Sequence, residues 1–67
     1  MSSMVDKTLR LLVNQLEERV LQLQESLANG IATDYAEYKE KCGEVKGLLT
    51  ARLNILDLRT QIEEADD

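Results

Sequence analysis

Sixty-seven residues with one cysteine, two tyrosines and no proline, phenylalanine or tryptophan leave room for one small domain and one modest core. The single cysteine forbids an intrachain disulfide, which excludes a secreted scaffold stapled by such bonds. A net charge of −5 excludes the basic footprint with which proteins grip nucleic-acid phosphates.

The charge is uneven. Residues 1–29 carry Lys7, Arg10 and Arg19 against Asp6, Glu17, Glu18 and Glu25, and from Asp34 to Ile62 five basic side chains balance five acidic ones. Glu63, Glu64, Asp66 and Asp67 therefore form an acidic tail over residues 63–67. Such an end is either a solvated, solubilising tag or a plug for a basic patch. It also opposes the negative end of a helix dipole, so the last turn is expected to fray unless pinned. The body is rich in Leu, Glu, Gln, Lys, Arg and Ala, which favour helix, and it lacks the commonest helix breaker. The predicted fold class is all-α.

In chain order, Ser3-Met4-Val5-Asp6 reads as a capping box with Asp in place of Glu, and a first helix is predicted over about residues 4–29. Val5, Leu9, Leu12, Leu16, Val20, Leu23 and Leu27 recur at steps of 4, 3, 4, 4, 3 and 4, with Val13 widening the stripe. This is an amphipathic face with a mean step near 3.6, which predicts a nearly straight helix without strong supercoiling. Leu11 and Leu21 point elsewhere and are free to meet a neighbouring chain.

Asn29-Gly30 should end this helix, because these residues most readily adopt the left-handed conformation of a helix stop. Ile31 and Ala32 cross over, with Ile31 placed to pack on the hairpin end. Asp34-Tyr35-Ala36-Glu37 gives another box-like cap, and a second helix is predicted over about 34–64. A connection this short joins antiparallel neighbours. The result is an antiparallel two-helix hairpin. At a rise of 1.5 Å per residue the helices span roughly 37 and 45 Å. The second should overshoot by one to two turns, with Leu58, Ile62 and the tail in the overhang.

The second helix has two apolar faces. Tyr35, Tyr38, Cys42, Val45, Leu49, Leu53 and Leu56 share one side; Gly43, Gly47, Ala51, Ile55, Leu58 and Ile62, with Leu48 at the edge, share another. A lone hairpin needs only one. Glycine within an exposed helix costs about 1 kcal/mol relative to alanine, so the row Gly43, Gly47, Ala51 requires a reason. It either lets the first helix approach closely or forms a groove for a helix of another chain. Because the Tyr35–Leu56 stripe already matches the first helix, the intermolecular role is preferred. Gly43, Gly47, Leu48, Ala51, Ile55, Leu58 and Ile62 are therefore the candidate partner-binding residues. Cys42, between Tyr38 and Val45 on the other face, is expected to be a buried, inert thiol.

Catalytic signals are missing. With no histidine and one cysteine, neither a histidine-based triad nor a zinc cluster can be assembled. Glu40 with Glu44, and Glu37 with Lys41, sit one helical turn apart and read as surface charge patterning. Gly43 and Gly47 are mid-helix, not in a phosphate-binding loop. No uninterrupted apolar run approaches a membrane span, and the N-terminus lacks a basic-then-apolar leader pattern, so a cytoplasmic origin is expected. A hairpin of this size without disulfide or metal is marginal alone, and association is the expected remedy.

The segment Asp34-Tyr35-Ala36-Glu37-Tyr38, then Cys42-Gly43, Val45-Lys46-Gly47-Leu48, Leu53-Asn54-Ile55-Leu56-Asp57-Leu58 and the acidic end resembles a group of small tailed-bacteriophage proteins. Those proteins share an amphipathic first helix, a short turn, a similar tyrosine-to-glycine spacing and an acidic terminus; the resemblance covers roughly residues 9–67. It implies a virion-associated structural or head-assembly role, with assembly in the bacterial host cytoplasm. The size and hairpin layout are also similar to the small co-chaperones of type III secretion needle subunits. An acidic nucleic-acid mimic ranks last, since it needs charge along its body. The expectation is a single helical-hairpin domain over residues 1–67, not an enzyme, without cofactor, metal or small-molecule substrate. Its partners are another helical protein or further copies of itself, and neither nucleic acid nor membrane.

Overall fold

In the computed structural model, which describes residues 3–30 and 33–65, the chain forms α1 (Ser3–Ala28) and α2 (Tyr35–Ala65), packed side by side. The expected packing of Ile31, and Asp66 and Asp67 of the tail, lie outside the described residues. The hairpin is a rod of 51 × 15 × 11 Å.

The end of α1 and the start of α2 follow the sequence closely, while the capping box read at Ser3 rests on a side chain outside the described ones. At the end of α1 the Asn29 amide donates to the Glu25 carbonyl at 3.0 Å and the Gly30 amide to the Leu27 carbonyl at 3.2 Å. Gly30 has a φ of +68°, the left-handed conformation that a side chain makes costly. At the start of α2 the Asp34 carboxylate accepts from the Glu37 amide at 2.8 Å. Glu37 reaches back one residue further than the usual box, and its carboxylate accepts from the Thr33 amide at 3.1 Å and the Thr33 hydroxyl at 2.7 Å. These bonds satisfy backbone donors that the first turn leaves without helical partners.

The Thr33 hydroxyl and amide hold the Glu37 carboxyl below its ordinary value. A lowered folded pKa means that the unfolded chain binds the proton more readily. The stabilisation is therefore present at neutral pH and lost as pH falls through the Glu37 value. Helicity of the native chain should show an acid-side loss below about pH 4.5 that is smaller in Glu37→Gln. Superimposable acid titrations of the two proteins would contradict the cap assignment.

The helices meet along alternating steps of three and four. In α1 the residues turned inward are Asp6, Leu9, Val13, Leu16, Val20, Leu23 and Leu27; Val13, Val20 and Leu23 are buried. Val5 and Leu12, expected within the stripe, lie at its exposed edge. The difference has a geometric cause. A 3.6-residue stripe drifts around a straight helix by about 20° per seven residues relative to a 3.5 repeat. A partner lying alongside therefore follows the alternating steps and leaves one edge of the wider stripe uncovered.

The facing residues of α2 are Lys41, Val45, Leu48, Arg52, Ile55, Arg59 and Ile62, all half-buried. Three of the seven are cations. Their stems cover the apolar seam of α1 while their charged ends reach its margins. Arg52 Nε meets Glu17 at 2.8 Å and Arg59 Nε meets Asp6 at 2.6 Å; from α1, Arg19 Nε meets Glu44 at 2.9 Å. Asp6 Oδ1 and Arg59 Nε are both shielded from solvent and face each other as an ion contact outside hydrogen-bond alignment. Asp6 also takes Arg10 at 3.1 Å. Exposed ion pairs contribute at most about 1 kcal/mol each, so they set the register of the helices more than their strength.

The Arg59–Asp6 contact corrects the expected overhang. Since Arg59 still reaches the first turn of α1, Leu58 lies alongside that helix, and Ile62 is half-buried near its start. Among the described residues, the turn carrying Glu63 and Glu64 is what this register places past the start of α1. Glu63 binds Arg59 at 3.3 Å, so a cation one turn back holds this acid where the helix dipole alone repels it.

Candidate interaction surface

No residue of α2 is buried. The helix settles onto α1 between the two apolar faces legible in its sequence and leaves the outer part of each uncovered. On one side stand Tyr35, Tyr38, Leu49 and Leu53, with exposures of 70, 49, 41 and 62%. On the other stand Leu58, at 47%, and the exposed Gly43 and Gly47.

The seven candidate partner-binding residues therefore divide. Gly43, Gly47 and Leu58 face solvent; Ala51 is half-buried. Leu48, Ile55 and Ile62 are half-buried in the seam, where Ile55 shares a recess of about 100 Å³ with Leu9, Arg10, Val13, Leu56 and Arg59. That hollow is well below the roughly 300 Å³ of the smallest usual ligand pockets. A Cβ placed on Gly43 or Gly47 would meet nothing within 4 Å. The glycines thus do not serve close approach of α1; their bare backbone faces outward.

Arg19 and Glu44 fix which edges of the two helices coincide. Val5 and Leu12 are whole numbers of heptads from Arg19, as Ala51 and Leu58 are from Glu44. These four line the same side of the hairpin. On the opposite side, Tyr35 and Tyr38 stack with centroids 6.3 Å apart, and Lys39 Nζ lies 5.7 Å from the Tyr35 ring. Cys42 is half-buried rather than fully enclosed as its sequence position led us to expect, because α2 turns that flank only partly toward α1. The Cys42 sulfur beside Tyr38 holds the phenol above its ordinary pKa.

Among the described residues no group of three His, Cys, Asp or Glu is placed to hold a metal ion, and no helix is long and apolar enough to cross a membrane. No protein-family model, curated protein or solved structure matches the chain.

What sequence reasoning passed over is the contribution of Lys41, Arg52 and Arg59 to the seam. A search for apolar residues alone misses them. The signal was nevertheless present, because position 41 begins an unbroken alternation of four and three that ends at Ile62. Counting long aliphatic stems as seam residues would have found it.

Proposed function

We propose that this chain is a non-enzymatic assembly protein that acts by docking a helix against the outward side of α2. The observation that carries the reading is that α2 leaves Tyr35, Leu49 and Leu53 on one flank and Leu58 on the other between 41 and 70% exposed while having no buried residue. A helix whose apolar side chains exceed what its own hairpin covers gains from a further partner, since buried apolar area is the main favourable term in association. Gly43 and Gly47 add bare backbone on the same element, where a second helix can come near. The resemblance to small tailed-phage proteins supplies the setting: a minor structural component of a phage particle, assembled in the host cytoplasm.

Replacing Gly47 with Leu puts a bulky side chain on exposed ground where a Cβ meets nothing within 4 Å. Under this reading, Gly47→Leu keeps a helical hairpin but loses its place in the native assembly, measured as assembly mass and as copies recovered in purified particles. Unchanged mass and copy number would remove the docking role from this face. Recovery of the native chain only in a small soluble complex absent from particles would replace the virion setting with a co-chaperone role.

A further inference from the structure

The exposed stripe of α2 opposite the seam carries its charges in an order that matches itself. Lys39 and Lys46 lie in its first half, seven residues apart, with the acidic Glu40 next to Lys39; Asp57 and Glu64 lie in its second half, also seven apart. Thr50 and Leu53 sit between the two sets, and all of these residues are exposed. Laid antiparallel on a second α2, with the two-fold axis between Thr50 and Leu53, this stripe brings Lys46 opposite Asp57 and Lys39 opposite Glu64. Equal spacing lets all four pairs of the dimer form in one register. A parallel arrangement in register would set lysine on lysine and acid on acid. A closed two-fold interface requires such a self-complementary patch.

We infer that the occupant of the outward side of α2 is a second copy of this chain, antiparallel and in the register that joins Lys46 to Asp57 and Lys39 to Glu64 of the other copy. The inference rests on the helix-docking reading and names its partner.

Two further observations support it. Lys46, Asp57 and Glu64 have no ion-pair partner among the described residues; Asp57 accepts only the Gln61 side-chain amide of its own helix, at 3.1 Å. The charges that hold α1 to α2, by contrast, lie at the seam and are already used. Apolar contact comes from Leu49 and Leu53, which fall beside Leu53 and Leu49 of the second copy across the axis, while Gly43 and Gly47 present no side chain to hold the helices apart.

The test is sedimentation equilibrium of the full chain over a concentration series at moderate salt, with helicity recorded on the same samples. The native chain should dimerise. Lys46→Glu alone, or Asp57→Lys alone, sets like charges opposite each other twice per dimer and should raise the dissociation constant about tenfold. A chain carrying both substitutions should return to within about threefold of the native value, because the exchanged charges again meet across the two-fold axis. Within one helix these positions are eleven residues apart, about three turns, so the recovery cannot arise inside a single copy. Both side chains are exposed and neither is hydrogen-bonded or ion-paired to α1, and unchanged helicity in the variants separates lost pairing from lost folding.

A helical monomer at every concentration, or a double variant as weak as the singles, overturns the self-pairing. In either case loss of Gly47→Leu from the native assembly would keep helix docking in place with a different partner. An unaffected Gly47→Leu assembly would end both.

Discussion

Leu23→Ala should remove about 2–4 kcal/mol of stability and leave the hairpin largely unfolded at room temperature. Leu23 is 3% exposed, the most enclosed of the three buried side chains, with Val20 at 7% and Val13 at 8% beside it in the seam. Truncating it takes away apolar packing and leaves a void that two rigid helices close poorly. The loss is large against the total. A small domain with three buried aliphatic residues among those described has only a few kcal/mol to lose, and what else joins the helices is half-buried seam residues and ion pairs of low individual strength. Leu21→Ala is the control. At 55% exposure the same chemical change on the opposite side of α1 should fall within about 0.5 kcal/mol of the native protein. Chemical denaturation followed by helicity, with both variants at one fixed concentration because self-association adds apparent stability, separates the two. Equal effects of Leu23→Ala and Leu21→Ala would mean that the seam assigned to α1 is wrong.

The sequence was most informative where local chemistry decides the outcome. Asn29-Gly30 and Asp34–Glu37 marked the end of one helix and the start of the next because left-handed backbone and capping oxygens act within one turn. The helix bounds follow from them. The α1 stripe was legible for the same reason that Val20 and Leu23 are buried: a regular apolar face has one favourable way to sit. Rotation of α2 was not legible from apolar residues, since those residues lie on more than one side and give no single direction. Long-range charges settle it, and Asp6 with Arg59 or Glu17 with Arg52 are recognisable as pairs only once the antiparallel register is known. The candidate surface consequently proved half seam and half solvent: Ile55 was read on the outward face but is half-buried and lines a recess shared with Leu9 and Val13, while Gly43, Gly47 and Leu58 remain outward.

Replacing both Gly43 and Gly47 with alanine should have opposite effects on the single hairpin and on its assembly. Neither position has a positive φ, and neither Cβ would meet an atom within 4 Å. Each alanine therefore restricts the unfolded chain without strain in the fold, and each should stabilise the dilute hairpin by about 1 kcal/mol. If bare backbone is kept for a second helix, the two methyl groups stand between the axes and weaken association by about tenfold or more, because dispersion attraction falls steeply as the helices are pushed apart. The two effects are measured apart. Denaturation at a concentration below the dissociation constant reads the intrinsic helix term, and sedimentation over a concentration series reads the pairing. Greater intrinsic stability with unaltered association would show that these glycines are not at a docking face, and their roughly 2 kcal/mol helix penalty would be without structural compensation. Greater intrinsic stability with weaker association would tie that penalty to assembly: α2 is held below its attainable helical stability because the missing side chains leave room for another helix.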